Sequence, residues 1–143
     1  MSSERAITLR LDSRLENVPL ASSALRAMAR EVGFAQEESE RLELCVVEAL
    51  TNVIQHAYGG EAGHPVTLFV LVTEEELEMR VHDEGLPMPD GLLERPEPDE
   101  ATEVALLAES GRGLGLMRRI ADRMDYRHGP EGNTLVLARR LPR

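Results

Sequence analysis

Glu48 and Asn52 stand four residues apart in the stretch ELCVVEALTNVIQHAY, residues 43–58. At the ~100° per residue of an α-helix, Leu42, Val46, Ala49, Leu50, Val53 and Ala57 fall on one broad apolar face. Glu48, Asn52 and His56 then form a row along its edge. A helix buried on one side would carry a carboxylate and a carboxamide one turn apart, facing a cleft. That pairing suits a magnesium–phosphate site. Asn offers a neutral carbonyl oxygen to a hard cation whose other ligands are waters and phosphate oxygens, and Glu accepts or orients a proton beside it. The same spacing also serves an ordinary boundary between core and solvent, so the reading depends on two further stretches.

The first is Asp83-Glu84-Gly85, at the end of an alternating strand pattern. Asp and Gly are the usual residues of a strand-ending turn. A fixed carboxylate there also accepts a hydrogen bond from an exocyclic amine such as that of adenine, and glycine lets a ligand approach the backbone. The second is Gly111-Arg112-Gly113-Leu114-Gly115-Leu116. Three glycines at alternate positions followed at once by an amphipathic helix make a hinge whose backbone amides, with the helix dipole behind them, can hold phosphates. It is not a dinucleotide fingerprint, because no strand precedes it.

The elements that must position these residues follow in order. Residues 6–11 (AITLRL) alternate as a strand, and 18–32 form a helix with Pro19 in its first turn and Gly33 after it. A second helix begins near Gln36, with Glu37, Glu38 and Glu40 complementing its dipole, and runs to about Tyr58 before Gly59-Gly60. Residues 66–73 (VTLFVLVT) read as a strand buried on both faces, and 77–82 (LEMRVH) as its hairpin partner. The next ~25 residues hold Pro87, Pro89, Pro96 and Pro98 among acidic groups, so a lid at about 86–112 is expected, with a short helix near 100–108. A helix over 114–124 and strands over 125–128 and 134–139 close the chain. The order β, α, α, β, β, lid, α, β, β has no internal repeat and no splitting linker, so residues 1–143 read as a single domain.

Composition narrows the classes. The chain of 143 residues carries 16 basic and 26 acidic groups, a formal net charge of −10, which argues against DNA or RNA as a direct ligand. Aromatic residues are 3% with no Trp, so the core is aliphatic and base-stacking platforms are scarce. All sixteen basic residues are Arg; the absence of Lys excludes a Walker-type loop and Schiff-base chemistry. The lone Cys45 reads as a small core residue. No run approaches the ~20 apolar residues of a membrane span, and the first residues have no signal-like core, so a cytoplasmic protein without membrane attachment is expected. No two of His56, His64, His82 and His128 lie three to five residues apart, which disfavours a histidine metal site.

Taken together, the E-x-x-x-N helix, strand-D-x-G and G-x-G-x-G-helix resemble the nucleotide-binding boxes of the GHKL (histidine-kinase-like) ATPase superfamily. In detail they are most similar to its anti-sigma factor serine/threonine-protein kinases, through EALTNVIQHAY, VHDEG, GRGLGLMRRIAD and GNTLVLARR. The likeness runs from Ala6 to Arg140. It implies an α+β fold, a two-layer sandwich of the GHKL (Bergerat) type with a mixed, mostly antiparallel sheet covered by helices on one face. It also implies ATP or ADP with Mg2+. By position, Asn52 would serve the metal and phosphates, and Glu48 would activate or orient the attacking hydroxyl or the metal-bound water. Asp83 would bind the adenine amino group, with Gly85 beneath the ring and Thr134 supporting that contact. Gly113 and Gly115, with Leu114 and Leu116 beside them, would form the phosphate box. His56 either lines the pocket or packs at the helix end, and Arg112 either offsets phosphoryl charge or faces solvent. Pro87 departs from the family pattern, which often has a second glycine there.

The function so implied is an ATP-dependent protein-serine kinase. It would phosphorylate an anti-anti-sigma (antagonist) protein, sequester a sigma factor and act as a homodimer in transcription regulation, under stress or in sporulation. Two rivals are a nucleotide-dependent binding module without kinase activity, which has less need of Glu48, and a histidine-kinase ATPase domain. The latter would require a helical hairpin with a phosphoacceptor His upstream, where this chain has a strand and one helix.

Overall fold

The computed structural model describes residues 4–92 and 111–142. Most of the expected lid, and the short helix expected near 100–108, lie outside the described residues. The elements are β1 (Arg5–Asp12), α1 (Val18–Glu31), α2 (Gln36–Asn52) continued by one π-helical turn (Val53–Ala57), β2 (Pro65–Val72), β3 (Glu76–Asp83), α3 (Gly111–Ile120), β4 (Arg123–Gly129) and β5 (Gly132–Arg140).

The strands form one sheet in the order β1-β2-β3-β5-β4. Among the described residues every pairing is antiparallel, so the α+β class holds and the sheet has no parallel component. Strand alternation sorts the side chains into two faces. Val66, Leu68 and Val70 of β2, Leu77, Met79 and Val81 of β3, and Leu135 and Leu137 of β5 are all buried. They meet Leu25 and Ala29 of α1, Leu42, Val46 and Leu50 of α2, and Leu114 and Met117 of α3 in one aliphatic core. The opposite face is polar and ion-paired. Arg80 lies over the Phe69 ring at 5.1 Å, and Arg123 Nη2 reaches Glu76 at 2.7 Å and Glu78 at 2.9 Å.

Two boundaries differ from the sequence expectation in ways that matter for the site. The helix expected over 114–124 begins at Gly111 and ends at Ile120, so the glycine-bearing stretch forms its first turns and is not a hinge ahead of it. Arg139 ends the helix by donating from Nη1 to the Ile120 carbonyl at 2.6 Å while its Nη2 holds Glu38 on α2 at 2.7 Å. Met124 consequently belongs to β4, opposite Leu137. The second change is at the other glycine pair: α2 does not continue regularly to Tyr58 but widens after Asn52, where Tyr58 N donates to Val53 O at 3.1 Å, a π-type bond.

Candidate functional site

The π turn sets the geometry of the first two motifs. It leaves the Ala57 carbonyl available to accept Leu86 N at 2.9 Å, which draws the turn after β3 onto the end of α2. Gly85 is required for that approach: a Cβ there would run into the Ala57 carbonyl and lie 2.9 Å from Tyr58 Cδ1. Gly85 therefore packs against the helix end. Tyr58 adds a second tie, its Oη accepting Glu84 N at 2.7 Å and donating to the Pro65 carbonyl at 2.6 Å.

Asp83 is buried at the inner end of β3. Its Oδ1 accepts Gly85 N at 2.9 Å and Asn133 Nδ2 at 2.7 Å, while Oδ2 takes no hydrogen bond from the described residues. Burial raises the Asp83 pKa above its ordinary value against the opposing pull of the Asn133 and Gly85 donors. The carboxylate is thus held in one orientation, with one oxygen unused by the described residues. Asn133, which donates also to the Gly85 carbonyl at 2.9 Å, is the residue that fixes it.

Thr134 stands on the other side of the sheet. The β3–β5 register pairs Asp83 with Asn133 and His82 with Thr134, so their side chains project to opposite faces, and the Thr134 hydroxyl meets His82 Nδ1 at 2.9 Å. The support that sequence reasoning placed at Thr134 falls to Asn133. The signal was available: Leu135 and Leu137 face inward, and alternation puts residue 133 with them.

Glu48 and Asn52 meet the first turn of α3. A Cβ on Gly113 would lie 2.7 Å from Glu48 Oε2 and 3.5 Å from Asn52 Nδ2, so the bare glycine is the space between these groups and the helix. Neither side chain is hydrogen-bonded within the described residues. Gly115 and Leu114 are buried, and Leu116 packs at the margin of the core. The Arg112 side chain lies outside the described residues.

A cavity of about 430 Å³ joins the parts. Its walls include Asn52 and His56 from the α2 end, Asp83, Leu114 from α3, and Tyr126 from β4, closed by Leu86, Met88 and their proline neighbours. His56 thus lines the cavity and is solvent-exposed. Asp83 and Asn52 both line this one space, and among the described residues Asp83 Oδ2 and the Asn52 carboxamide take part in no hydrogen bond. The volume is that of a small-molecule site. Sequence reasoning missed Asn133, Tyr58 and Tyr126, the last of which accepts Met88 N at 2.9 Å through its phenol oxygen.

The donor set fits Mg-ATP in kind. Among the described residues no three His, Cys, Asp or Glu side chains cluster as a cage for a metal. Mg2+ that arrives with a nucleotide takes most of its ligands from phosphate oxygens and waters and needs few from the protein, so no such cage is required and the Asn52 carbonyl could serve as one ligand. Cys45, buried under Glu48, is no nucleophile: burial first, then the Glu48 charge, pushes its thiol up to about 12 against the pull of Arg139. No helix of the described residues is long and apolar enough to cross a membrane.

Comparison with known proteins shows the family. Residues 11–139 match the family model of the histidine kinase-like ATPase domain. The chain is 30% identical over 139 residues to a serine-protein kinase RsbW of Bacillus cereus, covering 96% of this chain and 86% of that protein. It is 34% identical over 136 residues to the RsbW of Listeria monocytogenes, covering 93% and 85%. A solved structure of RsbU and RsbW domains from Mycobacterium tuberculosis superposes with a TM-score of 0.68 at 16% identity, over 97% of this chain and 33% of that one, a likeness of fold. The chain therefore belongs to the histidine kinase-like ATPase family, and within it to the RsbW-type anti-sigma factor serine kinases that its motifs resemble.

Proposed function

We propose that the chain is a single ATPase domain, with a lid over about 86–112, that transfers the γ-phosphoryl group of Mg-ATP to a serine of an antagonist protein and sequesters a sigma factor when that antagonist is absent. Homodimerisation and a cytoplasmic setting belong to the same reading, by likeness to the group. The observation that carries it is the shared cavity: Asp83 and Asn52 both line it, Asp83 Oδ2 accepts no hydrogen bond from the described residues, and Glu48 stands with Asn52 against Gly113.

Phosphoryl transfer through a loose transition state asks a protein for positioning and charge compensation. Magnesium, brought with the nucleotide, supplies the neutralisation of phosphate charge. Asp83 accepts the exocyclic amine of adenine, its carboxylate fixed by Asn133. The Asn52 carbonyl oxygen would be a ligand to the metal, and the first-turn amides of α3, with the helix dipole behind them, would hold the phosphates. Glu48 holds the acceptor hydroxyl in line and takes its proton late, a task for which an ordinary carboxylate suffices.

The test mixes the protein with γ-labelled ATP, Mg2+ and candidate antagonists from the same genome. Label should appear on serine and vanish in Glu48→Ala while that variant still binds nucleotide. Transfer undiminished in Glu48→Ala would refute the role given to this carboxylate. Nucleotide binding without transfer in the wild type would leave the binding-module reading.

A further inference from the structure

The segment that follows Asp83 forms one wall of the cavity, and its backbone is tied at every N–H from residue 84 to residue 89. Glu84 N donates to Tyr58 Oη at 2.7 Å, Gly85 N to Asp83 Oδ1 at 2.9 Å, Leu86 N to the Ala57 carbonyl at 2.9 Å, and Met88 N to Tyr126 Oη at 2.9 Å. Residues 87 and 89 are prolines and have no N–H to satisfy. The chain has two tyrosines, and both spend their hydroxyls on this strap.

The two ties differ in kind. Tyr58 also donates to the Pro65 carbonyl and so serves the loop before β2. Tyr126 makes no other hydrogen bond among the described residues. It stands on the inward face of β4 opposite Leu135, and its ring lines the cavity next to Met88 and Leu92. Phenylalanine would fill the same apolar space, so the hydroxyl is spent on holding Met88. The far end of the strap is held to the far strand of the sheet by that hydrogen bond, and just beyond it Asp90 Oδ1 lies 3.7 Å from His128 Nε2 on the same strand.

We propose that Tyr126 is a positioning residue for nucleotide recognition: by accepting the Met88 N–H it holds the 84–89 strap as the wall that confines the base, and so sets both nucleotide affinity and the size of base the site admits. The inference rests on the nucleotide reading of the cavity. The exocyclic amine would point toward Asp83, where the strap begins, so a bulky substituent on that amine must displace Leu86 and its neighbours. A strap released at Met88 yields to such a group; a pinned strap does not.

The test uses the full chain and Tyr126→Phe, with calorimetric titration of Mg-ATP, Mg-ADP and N6-benzyl-ATP. Loss of one neutral hydrogen bond predicts that ATP and ADP weaken together by about two- to tenfold. The preference for ATP over N6-benzyl-ATP should shrink, and the thermal midpoint without nucleotide should stay close to the wild-type value. A general weakening of the fold would not narrow that preference. In the wild type, hydrogen exchange of the Met88 amide should slow further when Mg-ADP is added, a measurement that needs no variant. Unchanged affinities and preference in Tyr126→Phe, a loss confined to ATP and absent for ADP, or a Met88 amide that exchanges freely with nucleotide bound would each overturn the pin alone. A wild-type chain that binds no nucleotide would overturn the reading beneath it as well.

Discussion

Gly113→Ala separates what the fold needs from what the site needs. Gly113 lies in the first turns of α3 and its φ is not positive, so alanine is compatible with the backbone. By helix propensity the change should stabilise the chain by up to about 1 kcal/mol. Against this, the new Cβ would sit 2.7 Å from Glu48 Oε2, closer than real Cβ atoms tolerate. The atom in the way is the far end of a flexible side chain, so it retreats by about 0.7 Å to reach ordinary contact, and the core does not shift. The thermal midpoint should therefore stay level or rise by a few degrees.

The chemistry should not survive so well. A catalytic group moved by ~1 Å from its working position costs on the order of 10²-fold in rate. Gly113→Ala should thus lose about two orders of magnitude in label transfer from γ-labelled ATP to the antagonist serine, with circular dichroism melts run on the same samples. The adenine contact proposed at Asp83 involves none of the groups that the new Cβ would meet, so ADP affinity should fall much less than the rate. A variant that melts normally and transfers phosphate at the wild-type rate would refute the placement of Glu48 against Gly113 as the working geometry. One that loses activity only because it unfolds would refute the claim that the clash is absorbed by a side-chain tip.

Three further outcomes follow from the same geometry. Asn52→Asp adds a negative charge where phosphates and their metal are proposed to sit, and calorimetry should show Mg-ATP weakened by about tenfold or more; unchanged affinity would count against the metal assignment. Burial raises the Asp83 pKa, so its charged form costs the folded state stability at neutral pH, a cost that fades as pH falls through that raised pKa. Asp83→Asn should then melt no lower than wild type while losing adenine nucleotide binding, and wild-type binding should weaken on acidification at a higher pH than an ordinary aspartate would dictate. On the outer face, burial pushes the Glu78 pKa up, but Arg123 and Arg80 more than offset it, so the net shift is downward. That pair adds stability above the unfolded-state pKa and loses it as pH falls through the folded one. Arg123→Ala should cost about 1 kcal/mol at pH 7, discounted for the exposed arginine, and nothing in strong acid; a deficit that persists there would point to lost packing.

What the sequence disclosed and what it hid divide along local and non-local lines. The row of Glu48, Asn52 and His56 follows from helical spacing, and Asp83 at a strand end from alternation, because both need only neighbours in the chain. The pairing of Asp83 with Asn133 depends on strand register across 50 residues. Had residue 133 been read from the inward phase of Leu135 and Leu137, the polar partner would have been found without any structure. The π turn at 53–57 was hidden for another reason. Its residues have ordinary helical periodicity, and the widened turn is tied to a tertiary contact that periodicity does not show, the Ala57 carbonyl accepting Leu86 N. Tyr126 has no local signature at all, since its polar atom answers a backbone group 38 residues away.

Gly85 and Gly113 both make room for a close approach, but to opposite ends. Gly85 is bare so that a turn can touch the end of α2, and an added Cβ there meets backbone, which cannot step aside. Gly113 is bare so that a helix can pass over Glu48 and Asn52, and an added Cβ there meets a side chain that can. Substitution at Gly85 should therefore damage the fold of the turn and the grip on adenine together, whereas substitution at Gly113 should damage only transfer. On the proposed reading the same residue type carries a structural constraint near Asp83 and a catalytic one near Glu48, and the difference lies in what each Cβ would strike.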